Sequence, residues 1–336
     1  MQINKNKILV TGAEGFIGSH LCEALVKKGA KVKALILYNS FNKEGWLEDI
    51  PKHIRNNIEV IPGDVRDKEF LTKLTKGVDI IFHLAALISI PYSYNAPRSY
   101  LNTNTAGTLN ILESARVSNC EKVISTSTSE VYGTAIKTPI DERHPIQAQS
   151  PYAASKAAAD LFLESYVKSF NLPAVILRPF NTYGPRQSAR AIIPTILSQI
   201  LDNNSIIKLG NINPVRDFTY VEDTCEAFLR AIKNKKIIGE TINIGNNFEI
   251  SIRGLLNILK ENYNFKFKIK IDKKRIRPKK SEVFRLYASN SKAKKLLGWK
   301  PKFKGYNGFN KGLGETIRWL DNKDNLSLYK SDLYNL

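Results

Sequence analysis

Short apolar runs alternate with amphipathic stretches through the first half of the chain. The runs are rich in valine, isoleucine and leucine, as expected for strands that are buried on both faces. They cover residues 7–11, 31–37, 58–61, 78–85, 122–127 and 174–180. Helical patterns lie between them, near residues 15–28, 66–76, 98–118 and 150–170. This alternation predicts an α/β fold with a doubly wound parallel sheet that helices cover on both faces.

The pattern becomes irregular after about residue 180, where Pro179, Pro185 and Pro194 interrupt it. We interpret this half of the chain as a smaller α/β domain that packs on the sheet. The predicted division gives residues 1–178 and 217–246 to the sheet domain, residues 179–216 and 247–322 to the smaller domain, and residues 323–336 to a tail without an assigned role.

The chain of 336 residues has a formal net charge of +20, and basic residues are densest at 265–280. Apolar residues alternate with lysines from Phe265 to Ile271, which predicts a half-buried strand with a solvated lysine face. Residues 273–280 are loop-like and suit the covering of an anionic ligand. The charge has three interpretations: a lysine-rich composition, binding of diphosphates, or contact with nucleic acid. The first is favoured, and we expect no nucleic-acid partner.

Cysteine and histidine usage excludes several classes of protein. The three cysteines form no CxxC pair, which argues against a disulfide framework, and the four histidines have no zinc-like spacing with them. The first residues lack an apolar signal region, and no apolar run reaches the roughly 18 residues of a membrane span. We therefore expect a cytoplasmic protein with no metal and no membrane partner.

A glycine-rich loop follows the first predicted strand and opens the first predicted helix. Its glycines have the spacing GxxGxxG, which in this context brings the backbone close to a dinucleotide pyrophosphate at the positive end of the helix. A glycine triplet alone is weak evidence, but this position makes the sheet Rossmann-like and the larger domain dinucleotide-binding. The predicted cofactor contacts are Gly12, Gly15, Phe16, Ile17, Gly18, Asn39, Ser40, Asp64, Val65, Leu84, Ala85 and Ala86.

The second strand ends without the Asp or Glu that usually binds the ribose 2′-hydroxyl of NAD. Asn39, Ser40 and the nearby Lys43 suit either a ribose hydroxyl or a 2′-phosphate. NAD is the predicted cofactor, while the choice between NAD and NADP stays open. Asp64 follows the third strand, and we expect it near the adenine.

Tyr152 and Lys156 lie four residues apart, on one face of a predicted helix. A nearby ammonium favours the tyrosinate, so this pair suits proton transfer from a sugar hydroxyl and also contact with the cofactor. Thr128, Ser129 and Glu130 follow the fifth strand, at the edge where ligands bind in open parallel sheets. Glu130 is the informative residue, because an alcohol oxidation needs no further carboxylate, whereas removal of a carbon-bound proton does.

Several segments together resemble the extended short-chain dehydrogenase/reductase family over about residues 5–322. They are GAEGFIGSH (12–20), HLAA (83–86), TNTAGTLNIL (103–112), TSTSEVYGT (126–134), SPYAASK (150–156), RPFNTYGPRQ (178–187), RDFTYVED (216–223) and NIGN (243–246). Segments 38–49, 83–97, 178–196 and 277–299 look like the nucleotide-sugar 4,6-dehydratases of the legionaminic-acid pathway, which act on GDP-N-acetylglucosamine. The resemblance also implies a homodimer, packed through helices such as 98–118 and 150–170.

The resemblance implies an internal redox cycle that converts a nucleotide-linked hexose to its 4-keto-6-deoxy form. Tyr152 and Thr128 would act on the C4 hydroxyl, and Lys156 on the ribose and the tyrosinate. Glu130 would remove the hydrogen at C5 as water leaves C6. Some relatives carry Asp where this chain has Ser129, so either Ser129 or Glu130 is the acid at C6.

The remaining predicted positions belong to a nucleotide-sugar substrate. Asn181 and Arg186 open the smaller domain, and guanidinium groups such as those of Arg216 and Arg277 suit phosphate oxygens. Ser89 and Tyr94 follow the fourth strand and are expected to line the sugar pocket.

Three other functions compete with the dehydratase. A nucleotide-sugar 4-epimerase uses the same glycine loop and Tyr–Lys pair but needs no base at C5, so Glu130 disfavours it. A UDP-glucuronate decarboxylase shares the Thr-Ser-Glu segment and requires an arginine for the substrate carboxylate. The non-enzymatic alternative is a dinucleotide-sensing or RNA-binding relative, which the intact Tyr152, Lys156 and Thr128 disfavour.

Overall fold

The structure is a computed structural model and describes residues 6–335. Its strands are β1 (Lys7–Thr11), β2 (Lys31–Leu37), β3 (Ile58–Gly63), β4 (Ile80–His83), β5 (Lys122–Thr126), β6 (Ala174–Pro179), β7 (Thr182–Tyr183), β8 (Ile206–Leu209), β9 (Val215–Asp217), β10 (Thr219–Tyr220), β11 (Thr241–Ile244), β12 (Glu249–Ser251), β13 (Lys268–Ile271) and β14 (Arg285–Leu286). Its α-helices are α1 (Phe16–Lys27), α2 (Lys52–Arg55), α3 (Lys68–Leu74), α4 (Ile90–Asn95), α5 (Pro97–Tyr100), α6 (Gly107–Val117), α7 (Pro151–Phe170), α8 (Ile192–Leu201), α9 (Val221–Lys233), α10 (Ile252–Asn262), α11 (Ser291–Leu297), α12 (Gly305–Leu320) and α13 (Lys323–Ser327).

The predicted parallel sheet is confirmed. Seven strands pair in parallel in the order β11-β6-β5-β4-β1-β2-β3, so all six predicted strands belong to it and β11 adds one edge. Strand β4 ends at His83, two residues earlier than predicted. The N–H of Leu84 still donates to the backbone oxygen of Thr11 at 3.2 Å and also to Thr11 Oγ1 at 3.1 Å, whereas the N–H of Ala85 donates to Thr11 Oγ1 at 3.1 Å, so regular pairing with β1 stops there.

Both faces of this sheet are buried, as the uninterrupted apolar strands require. Along β1, Ile8 and Val10 face one apolar cluster, whereas Leu9 faces another. Helices α1 and α9 pack together on the first face, and helices α3, α6 and α7 pack on the second. The predicted helix at 98–118 is present as α5, a π-helical segment (Leu101–Ala106) and α6 in succession.

Three smaller sheets are built mainly from the second half of the chain. Strand β9 pairs antiparallel with β12 and parallel with β14, while β8 pairs with β13 and β7 with β10. The predicted lysine-faced strand is real but begins only at Lys268, and its apolar side is incomplete because Ile271 is 48% exposed. The division into two domains stays a prediction.

The tail has a structural role that the sequence pattern did not indicate. Helix α13 is followed by Tyr329, which is buried against Trp46 and Trp319 and donates a 2.7 Å hydrogen bond to the backbone oxygen of Gln187. The segment is therefore anchored to the body of the protein. Within residues 6–335, no helix combines the length and apolarity needed to cross a membrane.

Candidate active site

A cavity of about 730 Å³ lies at the carboxyl ends of the central strands. Its walls come from the glycine loop, the segments after β3, β4, β5 and β6, helix α7, and part of the smaller sheets. Nineteen of the predicted site residues line it: Gly12, Gly15, Phe16, Ile17, Gly18, Asp64, Val65, Leu84, Ala85, Ala86, Ser89, Thr128, Ser129, Glu130, Tyr152, Lys156, Asn181, Arg216 and Arg277.

The glycine loop is shaped by close backbone packing. Gly12 has a φ of +67°, and a Cβ there would lie 2.7 Å from the backbone nitrogen of Ala85. A Cβ on Gly18 would lie 2.2 Å from the backbone oxygen of Gly12, so the first turn of α1 can sit directly on the loop only with glycine. Thr11 joins the loop to β4, since its hydroxyl also lies 2.9 Å from Nδ1 of the buried His83. The helix start faces the cavity, the arrangement that binds a pyrophosphate.

Tyr152 and Lys156 lie side by side on the first two turns of α7. This helix begins after Ser150, whose hydroxyl accepts a hydrogen bond from the N–H of Ala153 at 3.1 Å. Lys156 Nζ donates to the backbone oxygen of Thr126 at 2.6 Å, which fixes the ammonium at the end of β5. The Tyr152 hydroxyl makes a hydrogen bond with Thr128. The predicted tyrosine, lysine and hydroxyl group are thus in one place.

The electrostatics of Tyr152 differ from the expectation. Burial raises its pKa well above the usual range, and only the hydrogen bond with Thr128 opposes this. Burial also lowers the pKa of Lys156 itself. Burial therefore works against the tyrosinate, and a positive charge close to the hydroxyl would favour it.

Glu130 reaches the cavity from the short 3-10 helix Ser129–Tyr132. Thr128 precedes this helix and accepts a hydrogen bond from the N–H of Glu130 at 3.2 Å. The charge of Glu130 contributes to raising the pKa of Tyr152 and that of Arg216, so the carboxylate is near both side chains. Ser129 is 3% exposed and lines the same wall.

Two guanidinium groups form the basic end of the cavity. Arg216, on β9, and Arg277, in the predicted basic loop, approach the same oxygen of Glu282 at 3.8 and 3.7 Å. One carboxylate is thus shared by two cations, and Arg277 Nη1 is buried without a hydrogen bond. Guanidinium groups beside a cavity suit phosphate oxygens, as predicted for these two arginines.

Buried polar atoms without a hydrogen-bond partner are concentrated at this cavity. Among residues 6–335 there are eight such side-chain atoms, and five belong to residues of the cavity wall: Glu14, Thr126, Asn181, Gln187 and Arg277. An unpaired buried polar atom costs about 1–3 kcal/mol, so such a cluster indicates a site that a polar ligand completes.

Four predicted residues lie outside the cavity wall. The Asn39 side chain hydrogen-bonds its own turn, donating to the backbone oxygen of Lys43 and accepting from its N–H, and Ser40 belongs to the same exposed turn. Tyr94 pairs its hydroxyl with Ser281 at 2.7 Å. Arg186 is buried in ion pairs with Glu23 and Asp49 and so serves the packing of α1, not a diphosphate.

Other wall residues were missed from the sequence. Glu14 was overlooked because it is the variable position of the glycine motif, and Gln187 and Thr126 because single polar residues give no pattern. Tyr334, in the tail, lines the cavity next to the guanidinium of Arg275, which lies 4.9 Å from its ring centroid. Only the folded chain brings this tail to the site.

The geometry agrees with the comparisons to known proteins. The family model described as GDP-mannose 4,6 dehydratase matches residues 9–311. Human dTDP-D-glucose 4,6-dehydratase is 34% identical over 93% of this chain and 89% of its own length. UDP-glucose 4-epimerase of Mycolicibacterium smegmatis is 31% identical over 94% and 99%. The crystal structure of the dTDP-glucose 4,6-dehydratase DesIV from Streptomyces venezuelae, with NAD bound, has a TM-score of 0.84 and 28% identity over 96% of this chain and 99% of that one.

The fold and the site define an NAD-dependent enzyme that modifies nucleotide sugars, either a dehydratase or an epimerase. The chain belongs to the GDP-mannose 4,6-dehydratase family of extended short-chain dehydrogenases/reductases. The residues present fit NAD. A glycine loop with no room for a Cβ at Gly12 or Gly18 lines the cavity together with the start of α1 and Glu14, and one oxygen of the Glu14 carboxylate is buried without a hydrogen bond from residues 6–335.

Proposed function

We propose that this enzyme is a nucleotide-sugar 4,6-dehydratase, and that GDP-N-acetylglucosamine is its substrate. The carboxylate of Glu130 carries the proposal, because Glu130 lines the cavity with Tyr152 and Arg216 and its charge acts on both. Elimination of water across C5 and C6 requires a base for the C5 hydrogen, whereas epimerisation at C4 does not. The choice of GDP-N-acetylglucosamine rests on the resemblance of the segments 38–49, 83–97, 178–196 and 277–299.

The side chains divide the proton transfers between them. Tyr152 takes the proton of the C4 hydroxyl, which Thr128 holds, while Lys156 keeps the tyrosine and the cofactor ribose in position. When bound, NAD would accept the hydride from C4 and return it to C6, and the positive charge of its oxidised form would favour the tyrosinate. The C4 ketone acidifies the hydrogen at C5. Glu130 removes this hydrogen as the C6 hydroxyl leaves as water, and a proton then returns to C5.

The proton for the departing C6 hydroxyl has two sources in this site. Glu130 is one, since it holds a proton after acting at C5. Ser129 is the other, because it is buried on the same wall and can relay a proton. We assign the acid to Glu130, with Ser129 as the relay.

A 4-epimerase is the second candidate, favoured by the 31% identical UDP-glucose 4-epimerase. The two reactions differ in the fate of the C5 hydrogen. A dehydratase working in D2O introduces deuterium at C5, because the carbon is reprotonated from the solvent pool. An epimerase returns its hydride to C4 and introduces no solvent hydrogen on carbon.

The test is incubation of the purified protein in D2O with GDP-N-acetylglucosamine, UDP-N-acetylglucosamine, GDP-mannose and UDP-glucuronate in separate reactions. Mass spectrometry and NMR identify the products. Loss of one water from GDP-N-acetylglucosamine, with one deuterium at C5, is the expected result. Water loss from another substrate would support a 4,6-dehydratase but would assign it a different sugar or nucleotide base. Epimerised product without deuterium, or loss of carbon dioxide from UDP-glucuronate, overturns the dehydratase.

We further propose that the enzyme is a homodimer that packs through α7. This helix buries one face against the protein, yet a second apolar stripe at Ala154, Ala158, Leu161 and Phe162 follows the helical repeat. Leu161 is 58% exposed and Phe162 39%. Leu101, on the neighbouring π-helical segment, is also exposed. Such a stripe is suited to packing against its own copy.

A further inference from the structure

The second strand of a dinucleotide-binding sheet normally ends in the carboxylate that binds the ribose 2′-hydroxyl of NAD, and this chain has none there. Asn39 does not replace it. Its amide nitrogen donates to the backbone oxygens of Leu37 and Lys43, and its oxygen accepts from the N–H groups of Phe41 and Lys43. All the polar atoms of this side chain are therefore used by its own turn.

A carboxylate nevertheless stands at the end of β2, and it comes from the glycine loop. Glu14 Oε1 accepts a hydrogen bond from the N–H of Leu37, the last residue of β2, at 3.0 Å. The backbone oxygen of Glu14 accepts from the N–H of Trp46 at 3.0 Å, so the residue is also held from the other side. Gly45 packs closely against the same residue, since a Cβ at Gly45 would lie 2.8 Å from the backbone oxygen of Glu14 and 2.9 Å from its Cβ.

The second oxygen of this carboxylate accepts no hydrogen bond from the residues that the structure describes. Glu14 Oε2 is buried without a hydrogen bond, and Glu14 lines the cavity together with Gly63 and Asp64 from the end of β3. This is the end of the cavity next to β2 and β3, where the adenosine half of a dinucleotide lies in such sheets. A buried carboxylate oxygen without a hydrogen bond requires a donor, and a ribose hydroxyl bound at this end of the cavity is a donor of the right size.

We propose that Glu14 binds the ribose 2′-hydroxyl on the adenosine half of NAD and excludes NADP. The carboxylate thus lies at the end of β2, where such sheets usually have one, although it comes from the glycine loop. A 2′-phosphate would meet this negative charge at hydrogen-bond distance, and like charges in a desolvated site repel strongly. The inference concerns the cofactor alone and is independent of which sugar nucleotide the enzyme converts.

The basic side chains near this end do not counter the carboxylate. Arg66 lines the cavity, but its guanidinium is paired with Asp64. Lys43 lies 3.8 Å from Glu48, outside the cavity wall. A site built for a 2′-phosphate would present a cation there instead.

The test compares the binding of NADH and NADPH to cofactor-stripped protein by calorimetric titration. The variants are Glu14→Gln, which keeps an acceptor for the N–H of Leu37, and Glu14→Ala. We expect the parent to bind NADH at least about 10-fold more tightly than NADPH. Loss of a hydrogen bond to a charged group should weaken NADH binding about 10- to 100-fold in Glu14→Ala. Glu14→Gln should improve NADPH binding and bring the ratio of the two affinities close to one.

Two further variants make the result specific. Glu59→Gln removes an exposed carboxylate from β3 and should leave both affinities unchanged. Asp64→Asn removes the other carboxylate at this end of the cavity. If Asp64→Asn loses the preference for NADH over NADPH while folded Glu14→Gln retains it, the inference is overturned. Equal binding of NADH and NADPH by the parent overturns it as well. Melting temperatures establish that each variant is folded, so that a change in binding reports the substituted carboxylate and not loss of structure.

Discussion

Ser127 donates a 2.6 Å hydrogen bond to the buried carboxylate of Asp160, one helical turn beyond Lys156. Arg178 Nε and Nη2 donate to the same carboxylate oxygen at 3.0 and 2.8 Å, and both members of this ion pair are 3% exposed. Ser127 directly precedes Thr128. The hydrogen bonds to the Asp160 carboxylate therefore hold the end of β5, where the catalytic segment begins, against α7 and β6.

Removal of Asp160 should be strongly destabilising. Asp160→Ala leaves the Arg178 guanidinium buried without its counter-charge, which costs about 3–5 kcal/mol in the free energy of unfolding. Urea denaturation measures this loss. The matched control is Glu315→Ala, which breaks an exposed Arg318–Glu315 pair and should cost less than about 1 kcal/mol. Similar losses for the two variants would contradict a structural role for the buried pair.

Glu130→Gln separates the dehydratase from the epimerase. The amide cannot remove the C5 hydrogen, so turnover should fall about 10²- to 10⁴-fold, the usual effect of losing a general base. Deuterium incorporation at C5 should fall with it. Ser129→Ala, at the neighbouring position, should lower turnover less, because we assign it only a relay. A folded, NAD-containing Glu130→Gln enzyme with parental turnover would exclude Glu130 as the base.

The large sheet could be predicted because its strands are buried on both faces and leave long apolar runs. The motifs at the carboxyl edge of the sheet could be predicted for a related reason. Parallel strands end at one edge whatever the conformation of the connecting loops, so Gly12 and Thr128 lie there, and α7 begins there with Tyr152. Strand ends were less well predicted. Their position depends on single hydrogen bonds, such as those from Leu84 and Ala85 to Thr11.

The substrate end was predicted only in part, because it depends on contacts between distant segments. Arg186 and Arg216 are both arginines of the segment 179–216 predicted for the smaller domain, yet Arg186 pairs with Glu23 and Asp49 and Arg216 lines the cavity. No local pattern distinguishes them. Tyr334 reaches the site only because Tyr329 anchors the tail near Gln187.

Acidification should destabilise the protein through its buried histidines. Burial lowers the pKa of His20 to about 4 and that of His83 to about 3, below the ordinary 6.5. Between these values and 6.5 the unfolded chain binds more protons than the native one, so stability falls as the pH falls through this window. His20→Gln should make this fall shallower than in the parent, measured by urea denaturation at pH 7, 6 and 5.

The comparison with the parent isolates His20 from carboxylates that titrate in the opposite sense. Burial raises the pKa of Asp217 to about 7, so its contribution to stability decreases as the pH rises. That contribution is common to both proteins and cancels. His53→Gln changes an exposed histidine and should leave the pH dependence as it is. An unchanged slope in His20→Gln would show that His20 is protonated as readily in the native state as in the unfolded chain.

Tyr334→Ala should weaken binding of the nucleotide sugar without affecting NAD. The ring lines the cavity beside Arg275, where it can pack against the nucleotide. Loss of one aromatic contact predicts an increase in KM of about 2- to 10-fold at nearly constant kcat. Tyr306→Ala, at an exposed tyrosine outside the cavity wall, is the control. An unchanged KM in Tyr334→Ala would mean that the tail only borders the site.

Leu161→Glu should convert the proposed dimer to a monomer. The side chain is 58% exposed in the single chain, so the charge costs little within the protomer, but in an α7–α7 interface two desolvated carboxylates would face an apolar stripe. Light scattering coupled to size-exclusion chromatography measures the mass. Leu328→Glu, at a residue that is 64% exposed in the tail, adds the same charge elsewhere and should leave the dimer intact. A parent protein that is already monomeric would overturn the proposed dimer. A Leu161→Glu variant that still dimerises would show that the interface lies elsewhere.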